Sequence, residues 1–196
     1  LCGQNNRIIV SGGANMTVSK KDVDDFLCSA KRGDLFLGQL EIPVETVGYA
    51  LQVSKSKGMT TLLNPAPADS TILPFLRYTD ILLPNETELS LLGGEEKLLE
   101  AGTQTLVVTL GGKGYKIVSK KKRTAFPCPS VKVVDTTAAG DTFCGALCTM
   151  LSKGKNLEES CRFASVAASL SCTRKGASAS VPTLEEVLSF TKQILI

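Results

Sequence analysis

Apolar residues in this chain fall into short continuous runs, separated by stretches in which they recur every three or four positions. Leu35-Phe36-Leu37-Gly38-Gln39-Leu40 is the first run and predicts a buried strand. Pro43 opens a predicted helix with Val44, Val47 and Leu51 on one face, and Gly58 ends it. Thr60 to Leu63 predicts a second strand, closed by the turn Asn64-Pro65-Ala66-Pro67-Ala68. Ile81-Leu82-Leu83 predicts a short third strand, and Pro84-Asn85 leads into a short helix that stops at Gly93-Gly94. Leu106-Val107-Val108-Thr109-Leu110 is apolar without alternation, the pattern of a central strand covered on both faces. Tyr115 to Val118 and Thr124 to Phe126 predict a hairpin around Lys120-Lys121-Lys122-Arg123, a charge run read as a solvated turn. Val131 to Val134 predicts one more strand, and three helices follow at about 140–153, 157–172 and 184–195. Thr183 and Glu186 have the spacing of a capping box for the last helix. Strands alternating with helices predict an α/β fold with a largely parallel sheet.

Composition narrows the chemistry. The 196 residues favour one domain over 1–196 and suffice for a sizeable core. There is no histidine, which removes Ser-His-Asp and Cys-His pairs and histidine-ligated zinc. The chemistry left is that of carboxylates, lysine, hydroxyls, backbone amides and bound ions. A net charge of +3 and 5 % aromatic residues give no case for a nucleic-acid partner. Cys2, Cys28, Cys128, Cys144, Cys148, Cys161 and Cys172 include no C-x-x-C pair, and a scattered odd set fits a reducing compartment. No apolar run of about 18 residues suggests a membrane span. The expected location is cytoplasmic, with the nucleus as an alternative. Leu1 stands where Met would open a complete chain, so a fragment is one reading.

One segment carries chemistry. Asp135-Thr136-Thr137-Ala138-Ala139-Gly140-Asp141-Thr142-Phe143 joins a predicted strand to a predicted helix. Ala138, Ala139 and Gly140 leave the backbone bare, and unpaired amides at a helix start attract an anion. A carboxylate beside a phosphate does not ligate it but can accept a proton from an attacking hydroxyl, which suits Asp141. The bland reading is ordinary helix-start chemistry. The P-loop and G-x-G-x-x-G patterns are both absent.

This segment resembles the C-terminal signature of the ribokinase family of sugar and nucleoside kinases. Asn64-Pro65-Ala66-Pro67-Ala68, Pro84-Asn85-Glu86-Thr87-Glu88, Thr109-Leu110-Gly111-Gly112-Lys113-Gly114, Thr173-Arg174-Lys175-Gly176-Ala177 and Ser180-Val181-Pro182 follow in that family's order. Gly12-Gly13-Ala14-Asn15 and Gln39-Leu40-Glu41 are similar to earlier family segments. The implied fold is a Rossmann-type three-layer α/β sandwich with a mostly parallel sheet, its N-terminal strands and most of its lid missing. The implied reaction is ATP-dependent phosphorylation of D-ribose at its 5-hydroxyl, with Mg²⁺ and K⁺ as cofactors and a homodimer as a family expectation.

The resemblance also implies roles. Asp141 is the expected base, and the amides of Ala138, Ala139, Gly140 and Asp141 the expected anion hole. Thr109, Leu110, Gly111, Gly112, Lys113 and Gly114 are expected along the nucleotide, with Ser165 near adenine. Asn85 is expected to face the phosphates, and Glu88 to hold Mg²⁺ through water; helix capping is the alternative for both. Glu41 is expected to reach the sugar. Asp135, Thr137, Ser171, Arg174, Gly176 and Ser180 are the expected K⁺ positions, Arg174 through its carbonyl alone. Simple loop packing is the alternative for Ser171 and Ser180.

Three departures from the family pattern stand out. The N-terminal part that grips the sugar has no counterpart. Glu95 to Ala101 gives at most two helical turns, so one sheet face is expected to be poorly covered. Ser165 replaces a larger residue near adenine. The competing readings are a kinase for another sugar or a nucleoside, and a nucleotide-binding fragment without turnover. A dinucleotide-binding oxidoreductase lacks its glycine fingerprint.

Overall fold

The structure, a computed structural model, describes residues 11–194. Its six strands form one sheet in chain order: β1 (Leu35–Gly38), β2 (Thr60–Leu63), β3 (Ile81–Leu82), β4 (Thr105–Thr109), β5 (Tyr115–Ser119) and β6 (Arg123–Phe126). The first four run parallel, and β5 and β6 are antiparallel additions. Helix α1 (Lys20–Leu27) precedes β1, α2 (Val44–Ser56) follows it, and α3 (Glu86–Leu91) and α4 (Gly94–Glu100) lie between β3 and β4. Helices α5 (Ala139–Ser152), α6 (Leu157–Ser171) and α7 (Leu184–Ile194) complete the described chain.

The apolar runs are continuous because alternate side chains serve two cores. Leu63, Leu82, Leu106 and Val108 meet Val47 and Leu51 of α2 and Leu98 and Leu99 of α4 on one face. Leu62, Ile81, Leu83 and Val107 meet Phe143 and Leu147 of α5 and Cys161 and Ala164 of α6 on the other. Helices on both faces of a mostly parallel sheet make the expected three layers. α7 docks on α6 through Val187 against Val166 and Ala167.

Several expectations are corrected. Val131–Val134 is not a strand: no neighbouring strand pairs with it, and Val133 and Val134 are exposed. The amides of Val134 and Asp135 donate instead to the carbonyl of Cys172, at 2.8 and 3.2 Å. The sheet face beside α4 is not open. Two turns place Leu98 and Leu99 over the strands, and Leu106 and Val118 beneath them are fully buried. The sequence reading did not assign α1, which starts at a Ser19–Asp22 capping box, or the 3₁₀ segments Gly13–Thr17 and Ser70–Tyr78. α1 is mostly charged and buries only Val23 and Leu27, so its apolar period is weak. The basic turn before Arg123 is solvent-exposed, as expected, while Arg123 itself reaches Glu95 at 3.2 Å and also contacts Glu96.

Candidate functional site

The start of α5 is shaped by two side-chain anchors and one strained residue. Asp135 Oδ1 accepts the amide and hydroxyl of Thr137 at 2.9 and 2.7 Å, and Oδ2 accepts the Gly176 amide at 3.0 Å. Ala138 then takes φ 59°, the only left-handed non-glycine residue among the described residues. That conformation costs an alanine roughly 1–2 kcal/mol. It turns the chain so that the first amide of the helix to find a backbone acceptor beyond Ala139 is that of Thr142, which donates to Ala138 O at 2.9 Å. The amides of Gly140 and Asp141 have no acceptor among the described residues. A Cβ placed on Gly140 would meet nothing within 4 Å. Bare amides, free space and the positive end of a 14-residue helix are features that attract an anion, as expected of an anion site.

The Asp141 carboxylate stands at the rim of this site, and Gln39 Nε2 donates to its Oδ1 at 3.0 Å. Glu88 approaches from α3. Its two oxygens accept the backbone and side-chain amides of Asn85, each at 2.8 Å, and Asn85 Oδ1 accepts the Glu88 amide at 2.8 Å. The capping reading of this pair therefore holds in the geometry. Burial pushes the Glu88 carboxyl above its ordinary range, against the Asn85 hydrogen bonds. Buried Cys144 lies below, its thiol pushed up to about 12 mainly by burial, with Asp141 and Glu88 among the charges that oppose its ionisation.

A groove of about 460 Å³ opens beside the anion site. It brings together Asn85, Thr109, Gly111, Gly112, Gly114, Gly140 and Ser165 from the expected set. Leu110 and Lys113 do not line it. Leu110 packs into the core beside α4, and Lys113 points out to Glu86 at 3.4 Å. Sequence reasoning missed Cys128, Ser130, Val131 and Cys172, which also line the groove. Asp141 lies outside it, on a neighbouring cavity with Ala138 and Thr142. Glu41 lines a third cleft of about 500 Å³, which it shares with Gln39. Gln39 therefore links Glu41's cleft to Asp141. The sign available in the sequence was a polar residue just past an apolar run.

The expected cation positions are partly assembled. Asp135, Thr137 and Gly176 form one hydrogen-bonded cluster. The buried hydroxyls of Ser171 and Ser180 donate to Ala168 O and Ala177 O at 2.9 and 2.7 Å. A hydroxyl that donates keeps lone pairs for a cation, so this carbonyl and hydroxyl set fits a hard monovalent ion. Arg174 turns its guanidinium away to Glu186, at 2.5 Å, leaving only its carbonyl for such a role. For Mg²⁺, both Glu88 oxygens are already engaged, which fits contact through water. Among the described residues no cluster of three or more Cys, Asp or Glu side chains could hold a metal directly.

Asp135 also gives a pH prediction. The Thr137 hydroxyl, with the Gly176 and Thr137 amides, lowers its carboxyl from 3.8 to about 2. A depressed carboxyl stabilises the folded state fully above its unfolded value. That contribution falls as pH drops below 3.8 and is gone once pH passes through about 2. Acid unfolding followed by circular dichroism is expected to lose this part of its pH dependence in Asp135→Asn.

The profile of the pfkB family carbohydrate kinases matches residues 3–184. The chain belongs to that family. A pfkB relative, the ribokinase of Staphylococcus aureus (strain COL), is 39 % identical over 195 residues, covering 93 % of this chain. The chain spans 64 % of that relative's length. The ribokinase structure from Thermotoga maritima superposes with a TM-score of 0.82 at 40 % identity, covering 96 % of this chain and 66 % of that one. Arabidopsis thaliana ribokinase, solved with ribose and ATP, gives 0.79 at 34 % identity, covering 96 % and 65 %. The ribokinase-like α/β sandwich expected from the sequence motifs is thus the fold observed.

Proposed function

We propose that this chain carries the nucleotide and phosphoryl-transfer site of an ATP-dependent ribokinase. The observation that carries the reading is the left-handed Ala138, which leaves the Gly140 and Asp141 amides without acceptors, with Gly140 on the groove and Asp141 on the neighbouring cavity. In this reading the adenine end of ATP lies in the groove along Gly111, Gly112, Gly114 and Ser165. Its phosphates point to the Gly140 and Asp141 amides, which take up charge on the transferring group. Asp141 accepts the proton of the 5-hydroxyl of D-ribose, and Glu41 contacts the sugar. Asn85 and Glu88 face the phosphates. Mg²⁺ and K⁺, when bound, supply charge neutralisation, Mg²⁺ near Glu88 through water and K⁺ beside Asp135, Thr137, Ser171, Arg174, Gly176 and Ser180. Likeness to ribokinases at 34–40 % identity supports the choice of sugar.

The test is ADP release by the purified chain with ATP, Mg²⁺ and K⁺, with D-ribose, 2-deoxy-D-ribose, D-fructose or no sugar. Release that depends on D-ribose and falls when Na⁺ replaces K⁺ is expected. Release that is indifferent to the sugar would contradict the assignment. A second reading, nucleotide binding without turnover, draws on the placement of Glu41 and Asp141 in separate cavities. Saturable ADP binding with no release would select it.

A further inference from the structure

The Asp141 carboxylate is held by a chain of side-chain amides rooted in three strand ends. Gly38 and Leu63 are register partners at the ends of β1 and β2, and Leu63 pairs with Leu82 at the end of β3. The next residues of these strands are Gln39, Asn64 and Leu83. Asn64 Nδ2 donates to the Leu83 carbonyl at 2.8 Å, and the Asn64 backbone amide donates to Gly38 O at 2.9 Å. With its nitrogen so committed, Asn64 presents Oδ1 to Gln39 Nε2 at 3.3 Å. The second proton of the same Gln39 amide goes to Asp141 Oδ1 at 3.0 Å, across 102 residues of sequence.

The orientation of Gln39 is over-determined. Its NH₂ group has two protons and faces two acceptors. Turning the amide over would set Oε1 against Asn64 Oδ1 and against a carboxylate oxygen at once. Gln39 also lines the cleft that holds Glu41, so it stands between the expected sugar contact and the expected base. We propose that Gln39, braced by Asn64, is the positioning residue for Asp141: it occupies Oδ1 and leaves Oδ2 to meet the acceptor hydroxyl. This inference rests on the reading of Asp141 as the base. A carboxylate free to rotate would present the wrong oxygen or angle part of the time, and angstrom-scale misplacement of a reacting group costs about 100-fold in rate.

Two readouts test it. In a ¹H–¹⁵N spectrum of the resting protein, the side-chain NH₂ pair of Gln39 is identified by its loss in Gln39→Leu. That pair is expected to move in Asp141→Asn and in Asn64→Ala. A pair unmoved by Asp141→Asn overturns the proposal, and this readout needs no turnover. In the ADP-release assay, Gln39→Leu is expected to lower kcat about 10- to 100-fold with KM for ATP within about twofold. Gln39→Glu keeps length and packing but replaces the donor by an acceptor, so it is expected to lose turnover as well. Full turnover in a folded Gln39→Glu overturns the proposal. The two levels separate cleanly. If Asp141→Asn keeps normal kcat, the base reading fails; if Asp141→Asn is dead while Gln39→Leu is normal, only the role of Gln39 fails.

Discussion

Asp141→Asn is expected to lower ribose-dependent ADP release about 1,000-fold while leaving nucleotide binding intact. The magnitude is that of removing a positioned general base, roughly 10²–10⁴. The substitution keeps the shape of the side chain, the backbone amide and the start of α5, so the unpaired Gly140 and Asp141 amides stay in place. What is lost in the proposed reaction is the carboxylate that accepts the hydroxyl proton, and the chain contains no histidine that could replace it. Steady-state ADP release gives the kcat, and calorimetric titration with ADP gives the affinity. A fall in affinity equal to the fall in kcat would mean that Asp141 acts in binding rather than in proton transfer.

Gly114→Ala has the largest expected effect on stability, about 3 kcal/mol of destabilisation. Gly114 sits at φ 100°, where an alanine is strained whatever the space around it. The space is also missing: an added Cβ would lie 2.0 Å from the Phe126 carbonyl oxygen and 2.8 Å from the Cys128 amide nitrogen. Both obstacles are backbone, so relief requires moving the end of β6 and the wall of the groove that follows it. Gly112→Ala is the internal control. An added Cβ there meets nothing within 4 Å, so urea midpoints are expected to stay within about 0.5 kcal/mol of the parent. Because Gly112 lines the groove, its alanine variant is still expected to weaken ADP binding.

The contrast between these two glycines shows what the sequence could and could not reveal. A glycine-rich turn after a buried strand was legible as a place of close approach. The sequence did not say that Gly114 is demanded by the fold and Gly112 by open space at the groove. Strands β2 to β4 were legible because both faces of each are covered, which favours apolar runs, whereas β1, expected to be buried, is the edge strand and leaves Leu37 exposed. Val131 and Val133 carry a similar pattern for another reason: they line the groove rather than a core, so no strand partner exists for them. The start of α5 was legible from its small residues followed by a carboxylate. Gln39 was visible within a family segment, yet its contact with Asp141 depends on the spatial order of β1, β2 and α5, which local pattern does not encode. Cys128 and Cys172 were read as scattered small apolar residues, and only the fold brings both to one groove.

The most direct measurement is a titration of the ¹⁵N-labelled chain with ADP and Mg²⁺, followed through the backbone amides. Saturable shifts at Gly140 and Asp141, together with Gly111, Gly112 and Ser165, are the expected result, because the free amides at the start of α5 and the groove beside it would take up one nucleotide. Saturable shifts confined to the cleft around Glu41 or to the cavity between α5 and α7, with Gly140 and Asp141 unmoved, would contradict the assignment of the α5 start as the phosphate site.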